Sequence, residues 1–203
     1  MRLKEVSKAK HRILEKYIPP WLRILGSAHK QLVYVDCFAG SGTYEKGEQG
    51  SPLIVIDVAD KVIQRTNIGL VAIFVEKNEA AANRLKDTLP TSLPSGLKVY
   101  VFNEDAHNFV PKLLEQVPVG VPAFFFIDPY GHPLAIPVMN RILSMPRKEI
   151  LLILMWYSIN MHLGNPQAEN SITKMFGSNE WKDQPFMKQQ GQTREGSFLE
   201  YFL

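Results

Sequence analysis

The chain has 203 residues, of which 45% are hydrophobic and 21% are charged, a balance typical of one soluble globular domain. It contains no run of about 18 apolar residues, so the sequence predicts no membrane span. The single cysteine, Cys37, excludes an internal disulfide and a cysteine-based zinc site, and the basic N-terminus lacks the apolar core of a secretory signal. We therefore expect a cytoplasmic protein that makes no contact with membranes.

Charge is distributed unevenly along the chain. Residues 1–30 carry eight Lys or Arg and two Glu, whereas the remainder carries 15 basic and 18 acidic residues. A basic end on a mildly acidic body favours a phosphate-bearing partner such as RNA or DNA. An ordinary solvated helix face explains the same charges equally well.

The hydrophobic pattern predicts alternating strands and helices after a first basic helix. That helix covers residues 4–25, and we expect the pair Pro19-Pro20 to interrupt it. We then predict strands over 31–37, 69–75, 97–102, 122–127 and 149–155, and helices over 51–65, 78–89, 107–116 and 137–144. Ser51 is expected to cap the helix at 51–65. Residues 156–203 have a polar, irregular pattern, with one helix near 195–203.

The predicted fold class is α/β and Rossmann-like. Nearly continuous apolar strands separated by helices indicate a mostly parallel sheet with helices on both faces. We divide the chain into a basic helical segment (1–30), a ligand-binding core (31–155) and a C-terminal extension of the same domain (156–203).

Candidate ligand-binding residues stand at strand ends, where open α/β sheets bind their ligands. The first group is the segment 36–42, in which Gly40 and Gly42 allow close backbone approach to a ligand, although a tight turn would use the same glycines. A dinucleotide site is disfavoured. Glu45 stands where its third glycine belongs, and Glu76 lies 34 residues beyond Gly42 instead of about 20.

Two further strands end in acidic residues. Glu76 can accept hydrogen bonds from both hydroxyls of a ribose, and the alternative is an acid that favours the start of the next helix. Asp105 can accept from an adenine amino group or cap the helix at 107–116, and both interpretations stay open.

The fourth strand ends in Asp128-Pro129-Tyr130-Gly131. The Asp128 carboxylate and the Pro129 carbonyl can each accept one hydrogen of an exocyclic amine, which directs the nitrogen lone pair at a methyl donor. Tyr130 could stack on a base. A simple turn is the alternative, because Pro and Gly both favour one.

Two of these motifs resemble those of known enzymes. The segment 36–43 resembles the cofactor motif of DNA amino-methyltransferases, and 127–133 resembles the catalytic motif of tRNA guanine-N2 methyltransferases. The usual amino-methyltransferase pattern has two prolines and then an aromatic residue. Here Tyr130 replaces the second proline and Gly131 stands in the aromatic position.

The whole chain most resembles the three-Cys-motif partner family, whose members have a methyltransferase-like core. The matching segments are 8–25, 34–42, 50–53 and 127–131. The resemblance implies a class I methyltransferase core that binds S-adenosylmethionine, with S-adenosylhomocysteine as product. It also implies a partner protein with a three-cysteine, radical-SAM-like motif. A full methyltransferase sheet has two more strands, so we expect the C-terminal strands to be missing from this chain.

The expected site residues follow from these motifs and resemblances. The cofactor-binding residues are Asp36, Phe38, Ala39, Gly40, Gly42, Glu76 and Asp105, and the catalytic residues are Asp128, Pro129 and Tyr130. No metal site is expected, because His107 and His132 are isolated. Cytosine-C5 chemistry is excluded, because it needs a cysteine after the fourth strand and Cys37 lies on the first.

The leading hypothesis is S-adenosylmethionine-dependent methyl transfer to an exocyclic amine of a nucleic-acid base. One alternative is a catalytically silent cofactor-binding subunit of the three-Cys-motif partner. Another is a protein-amide methyltransferase, because a glutamine side chain also presents a planar amine.

Overall fold

A computed structural model describes residues 5–203 and contains an α/β fold. Five parallel strands form one sheet, and helices lie on both of its faces. The strands are β1 (Gln31–Asp36), β2 (Gly69–Val75), β3 (Leu97–Phe102), β4 (Ala123–Ile127) and β5 (Lys148–Leu152). The helices are α1 (Glu5–Ala28), α2 (Ser51–Ile63), α3 (Glu79–Thr88), α4 (Ala106–Gln116), α5 (Ile136–Ser144), α6 (Trp156–His162), α7 (Glu169–Phe176) and α8 (Gly191–Phe202). Three short 3-10 turns lie at Pro166–Ala168, Glu180–Asp183 and Pro185–Met187.

The strand order β3-β2-β1-β4-β5 confirms the predicted Rossmann-like core. The chain builds the sheet outward from β1 through β2 and β3, and then returns to add β4 and β5 on the other side. The order therefore reverses between β1 and β4. In open α/β sheets, this reversal opens a crevice at the carboxyl ends of the strands.

Alternate residues of β1, β2, β4 and β5 supply two separate cores, whereas the edge strand β3 faces only one of them. Val33 and Val35 of β1 face a core that includes α4, α5 and the C-terminal helices. Leu32 and Tyr34 face the other core, which includes α1 and α2. Because both faces are covered, the strands are apolar along most of their length, as the sequence pattern indicated.

Helix α1 is continuous through Pro19 and Pro20, so the prediction that the two prolines interrupt it was wrong. Leu14 and Ile18 precede the prolines, Trp21 and Leu22 follow them, and all four are buried in the same core. A proline cannot donate a hydrogen bond to the carbonyl four residues earlier. The two carbonyls that lose a donor here belong to Glu15 and Lys16, both of which are exposed residues. Burial of the apolar face on both sides of the prolines offsets the loss of these two hydrogen bonds.

Residues 156–203 form short helices and 3-10 turns that contribute to the core, so the segment is more regular than its polar pattern indicated. The expected helix near 195–203 is α8, and α6, α7 and the 3-10 turns precede it. Phe176, Phe186 and Phe198 are buried in the core that contains Val33 and Val35. The polar residues between them obscured the aromatic cluster in the sequence.

Among the described residues, no helix combines the length and apolar character needed to cross a bilayer.

Replacing Lys148 with Met is expected to destabilise the fold by about 2–3 kcal/mol. The Lys148 ammonium donates to the backbone carbonyls of Pro118, Val119 and Val121 at 3.2, 3.2 and 2.6 Å, and the residue is 6% exposed. Methionine fills a similar volume but leaves these carbonyls without their donor, and an unsatisfied buried acceptor costs about 1–3 kcal/mol. Urea unfolding measures the change. Lys61→Met, which removes only an exposed pair with Asp57, is the control, and equal small effects in both variants would contradict the prediction.

Candidate functional site at the strand ends

Two cavities meet at the carboxyl ends of β1 and β4. The first cavity, of about 430 Å³, lies over the ends of β1, β2, β3 and β4. The second cavity, of about 440 Å³, lies between α1, the glycine-rich loop (residues 37–50) and the segment after β4. Both are lined by Phe38, Gly40, Asp128, Pro129 and Tyr130. The two cavities therefore share a boundary at the switch point of the sheet.

The structure brings most of the predicted site residues to these cavities. Glu76 and Asp105 line the first cavity, together with Lys77, His107 and His132. Ala39 and Gly42 line the second, which α1 closes with Ser7, Lys10 and His11. Asp36 lines neither cavity.

Glu76 ties the glycine-rich loop to the end of β2. One carboxylate oxygen accepts from the Gly40 amide at 2.8 Å and the other from the Asn78 amide at 2.7 Å. A carboxylate oxygen can accept more than one hydrogen bond, so both remain able to bind a ligand hydroxyl. Glu76 thus both shapes the cavity and lines it.

Gly40 and Gly42 both adopt a left-handed conformation, with φ values of 66° and 76°. Their surroundings differ. A Cβ at Gly40 would meet open space, whereas a Cβ at Gly42 would lie 2.7 Å from the Leu85 side chain. Gly40 therefore leaves the cavity wall free of a side chain, and Gly42 allows the loop to pack closely on α3.

Asp36 is fully buried and supports the site from below. Its carboxylate accepts from the Ser51 hydroxyl at 2.6 Å and from the Phe38 amide at 3.2 Å. The expectation that Asp36 contacts the ligand directly has no support in this geometry, because its oxygens face the loop and α2. Ser51 is also not the helix cap that we expected. Gly50 occupies the cap position, and the Ser51 side chain points to Asp36 instead.

Burial raises the pKa of Asp36 to about 7. The hydrogen bonds from Ser51 and Phe38 lower this pKa, and the nearby charge of Asp128 raises it further. The folded protein therefore holds a proton between pH 4 and 7 that the unfolded chain releases. The contribution of this group to stability is greatest below pH 4 and is lost as pH rises through 7.

The free energy of unfolding of the wild type is therefore expected to fall by about 3–4 kcal/mol between pH 4 and pH 7, relative to that of Asp36→Asn. The asparagine side chain has no proton to release in this range, so the difference between the two proteins isolates Asp36. Urea unfolding at several pH values measures it. A difference that is constant across this range would contradict the assignment.

Asp105 caps α4, one of the two interpretations left open by the sequence. One of its oxygens accepts from the His107 amide at 3.0 Å, and the other lies 2.8 Å from the Lys77 ammonium. Partial burial opposes ionisation, but the bonds to Lys77 and His107 lower the pKa of Asp105 below its usual value. Asp105 is thus an ionised acceptor at the edge of the first cavity.

Asp128 forms an ion pair with Lys10 of α1. The Lys10 ammonium lies 2.6 Å from Oδ1 of Asp128, and the two side chains are 12% and 23% exposed. Beside the pair, Pro129 is buried and Tyr130 is 85% exposed. Sequence reasoning missed Lys10, because nothing distinguishes it from the other basic residues of the first 30.

Two histidines, His107 and His132, line the first cavity, and their surroundings favour the uncharged imidazole. Burial lowers the pKa of both His107 and His132. The His107 ring packs edge-on against Phe38, and Nδ1 of His132 lies 2.7 Å from the Ser171 hydroxyl. The described residues contain no group of three or more His, Cys, Asp or Glu side chains placed to hold a metal ion.

The structure defines a Rossmann-like α/β domain with two adjoining cavities at its topological switch point. No protein-family model and no curated protein matches this chain.

Proposed function

We propose that this protein is an S-adenosylmethionine-dependent methyltransferase that acts on an exocyclic amine of a nucleic-acid base. One observation carries the proposal. A single cavity of about 430 Å³ is lined by the glycine-rich loop, Glu76, Asp105 and the segment Asp128–Tyr130. Its volume lies in the range of about 300–1,000 Å³ that is typical of small-molecule sites.

The residues of the first cavity suit the nucleoside part of the cofactor. Glu76 lies where its oxygens can accept from ribose hydroxyls, and Asp105 can accept from the adenine amino group. Phe38 offers an apolar wall. The open space beside Gly40 accommodates a ligand in contact with the backbone. Asp36 takes a supporting role here, because it holds Ser51 and Phe38 in place beneath the loop.

The residues at the boundary of the two cavities suit the transfer step. When bound, S-adenosylmethionine supplies a methyl group on a positively charged sulfur. The Asp128 carboxylate and the Pro129 carbonyl hold the acceptor amine by its two hydrogens, so that its lone pair faces the methyl group. S-adenosylmethionine would give up its methyl group to the amine nitrogen and leave as S-adenosylhomocysteine, and Asp128 or water would take up the proton that the nitrogen releases. Holding the reactants in line can lower the barrier by about 7–11 kcal/mol at most.

The nucleic-acid part of the proposal rests on charge and on aromatic surface. The first 30 residues carry a net excess of basic side chains. Tyr130 is highly exposed at the mouth of both cavities and can stack on an unpaired base. An unpaired base in RNA would avoid the energy needed to flip a base out of a duplex. We place the reaction in the cytoplasm.

A second candidate function is a catalytically silent cofactor-binding subunit of a three-Cys-motif partner. One observation favours it. The protein's own groups already contact all three acidic residues of the site, with Lys10 on Asp128, Lys77 on Asp105 and two backbone amides on Glu76. A site that only binds a cofactor could keep these contacts through its working cycle.

Transfer of a labelled methyl group tests the proposal. The protein is incubated with S-adenosylmethionine carrying a ¹³C-methyl group and with unmodified single-stranded RNA or DNA. The nucleic acid is then digested, and its nucleosides are analysed by mass spectrometry. We expect label on an exocyclic nitrogen. Cofactor binding without label in any nucleoside would favour the silent subunit, and label on glutamine of an added protein would favour the protein-amide alternative.

A further inference from the structure

We propose that the second cavity is the acceptor site, that it receives one planar amine-bearing ring, and that Lys10 holds Asp128 in position there. This inference rests on the proposed function and extends it by locating the acceptor. The two cavities lie on either side of Asp128–Tyr130, so a ligand in each would bring their reactive ends together at this boundary.

The walls of the second cavity suit a flat ring. His11 and Tyr44 stand on one side with their ring centroids 5.7 Å apart, and Phe38 and Tyr130 also line the cavity. Burial lowers the pKa of His11, so that its ring is largely uncharged at neutral pH. Aromatic side chains stack on any base, and each such contact contributes measurably to binding. Asp128 and Pro129 form the polar end, which suits an amino group.

Helix α1 is a fixed wall of this cavity. The side chains of Leu14 and Ile18, on the inner face of this helix, are fully buried in the core. Farther along the helix, Glu149 of β5 accepts hydrogen bonds from the Tyr17 hydroxyl at 2.5 Å and from the Trp21 indole at 3.0 Å. Lys10 therefore projects from an anchored helix, and its ammonium meets Asp128 at a defined point.

The ion pair leaves part of Asp128 available. Lys10 contacts Oδ1, and Oδ2 is a separate acceptor on the same carboxylate. A carboxylate fixed through one oxygen keeps the other in a constant direction, as the orientation of an acceptor amine requires. Asp128 also interacts electrostatically with the buried Asp36, so the Lys10 charge lies on one member of an acidic pair. Lys10 is thus a positioning residue that acts through Asp128.

A fluorescent base tests the site without turnover. The probe is a short oligouridine strand with one 2-aminopurine, whose amine-bearing ring loses fluorescence when it stacks. It is titrated in the presence of S-adenosylhomocysteine. We expect Tyr44→Ala to weaken probe binding about tenfold, because the variant removes one of the aromatic surfaces on which the ring stacks. The affinity for S-adenosylmethionine should be unchanged. His107→Ala, which changes the wall of the first cavity, should instead weaken cofactor binding. Tyr100→Ala, an exposed aromatic residue on β3, should change neither.

Variants of Lys10 test its positioning role. Lys10→Met is expected to lower kcat about 10–100-fold, because a displacement of about 1 Å can cost 100-fold, and to leave cofactor affinity unchanged. Lys10→Arg should restore part of the rate, and Lys86→Met, at an exposed lysine of α3 that lines neither cavity, should behave as wild type. In an Asp128→Ala background, Lys10→Met should have no further effect on kcat. Melting temperatures of all variants identify any that fail to fold.

The outcomes separate this inference from the proposed function. A wild type that binds cofactor and transfers methyl, with Tyr44→Ala and Lys10→Met unchanged, would overturn the acceptor site alone. Faster methyl transfer in Lys10→Met would show that Lys10 blocks Asp128. Weaker cofactor binding in this variant would show that Lys10 holds the cofactor. Either result would overturn the positioning role. A folded wild type that binds no S-adenosylmethionine would overturn both proposals.

Discussion

Asp128→Ala is expected to reduce methyl-transfer kcat by about 100- to 1,000-fold while it leaves the affinity for S-adenosylmethionine within about twofold. The change removes the carboxylate that orients the acceptor amine, and the loss of orientation and of a proton acceptor each carry effects of this size. It also leaves the Lys10 ammonium without its partner. Asp128→Asn keeps one carbonyl oxygen that can accept a hydrogen bond, and we expect an intermediate rate.

Single-turnover transfer of the labelled methyl group measures this effect on the chemical step, and calorimetry with S-adenosylmethionine measures binding. Asp87→Ala is the matched control, because Asp87 is exposed on α3 and lines neither cavity. An Asp128→Ala protein that is folded and transfers methyl at the wild-type rate would remove Asp128 from the mechanism. A variant that loses only cofactor affinity would assign Asp128 to cofactor binding.

Phe198→Ala is expected to lower the free energy of unfolding by about 3–5 kcal/mol, the usual cost of removing a buried aromatic ring. Phe198 is fully buried, with ring centroids of Trp156, Phe176 and Phe186 at 4.8, 6.0 and 5.5 Å. The same core includes β1 and β4, so the loss should affect the whole sheet and not only the C-terminal helices.

Urea unfolding followed by circular dichroism and by tryptophan fluorescence measures this loss. One transition common to both probes is expected in wild type and variant, shifted to lower urea in Phe198→Ala. Tyr157→Ala, at a side chain that is 78% exposed, should change stability by less than about 0.5 kcal/mol. Two separate transitions in the wild type would mean that residues 156–203 fold independently of the sheet.

The strands were the most predictable part of the fold. Residues 69–75 and 97–102 were predicted with the bounds that β2 and β3 have in the structure. Both are apolar runs between turn residues, so the local sequence contains the information that determines them. Predicted strand ends also placed Glu76, Asp105 and Asp128 correctly along the edge of the first cavity.

The errors arose where long-range packing overrides local preference. Pro19 and Pro20 disfavour a helix locally, but burial on either side of them keeps α1 continuous. Ser51 has the local character of a cap, but the buried carboxylate of Asp36 is a stronger partner for its hydroxyl. The Lys10–Asp128 pair joins residues that are 118 positions apart, and no local pattern predicts such a contact.

The central claim is that the first cavity binds S-adenosylmethionine through Glu76. Calorimetric titration of S-adenosylmethionine and S-adenosylhomocysteine into wild type, Glu76→Ala and Glu104→Ala tests it most directly. We expect micromolar binding of both ligands to wild type and to Glu104→Ala, whose exposed side chain lies outside the cavity. Binding should be roughly 10- to 100-fold weaker in Glu76→Ala, the loss expected for hydrogen bonds to a charged group. A folded wild type that binds neither ligand, or a folded Glu76→Ala that binds them as wild type does, would contradict this claim.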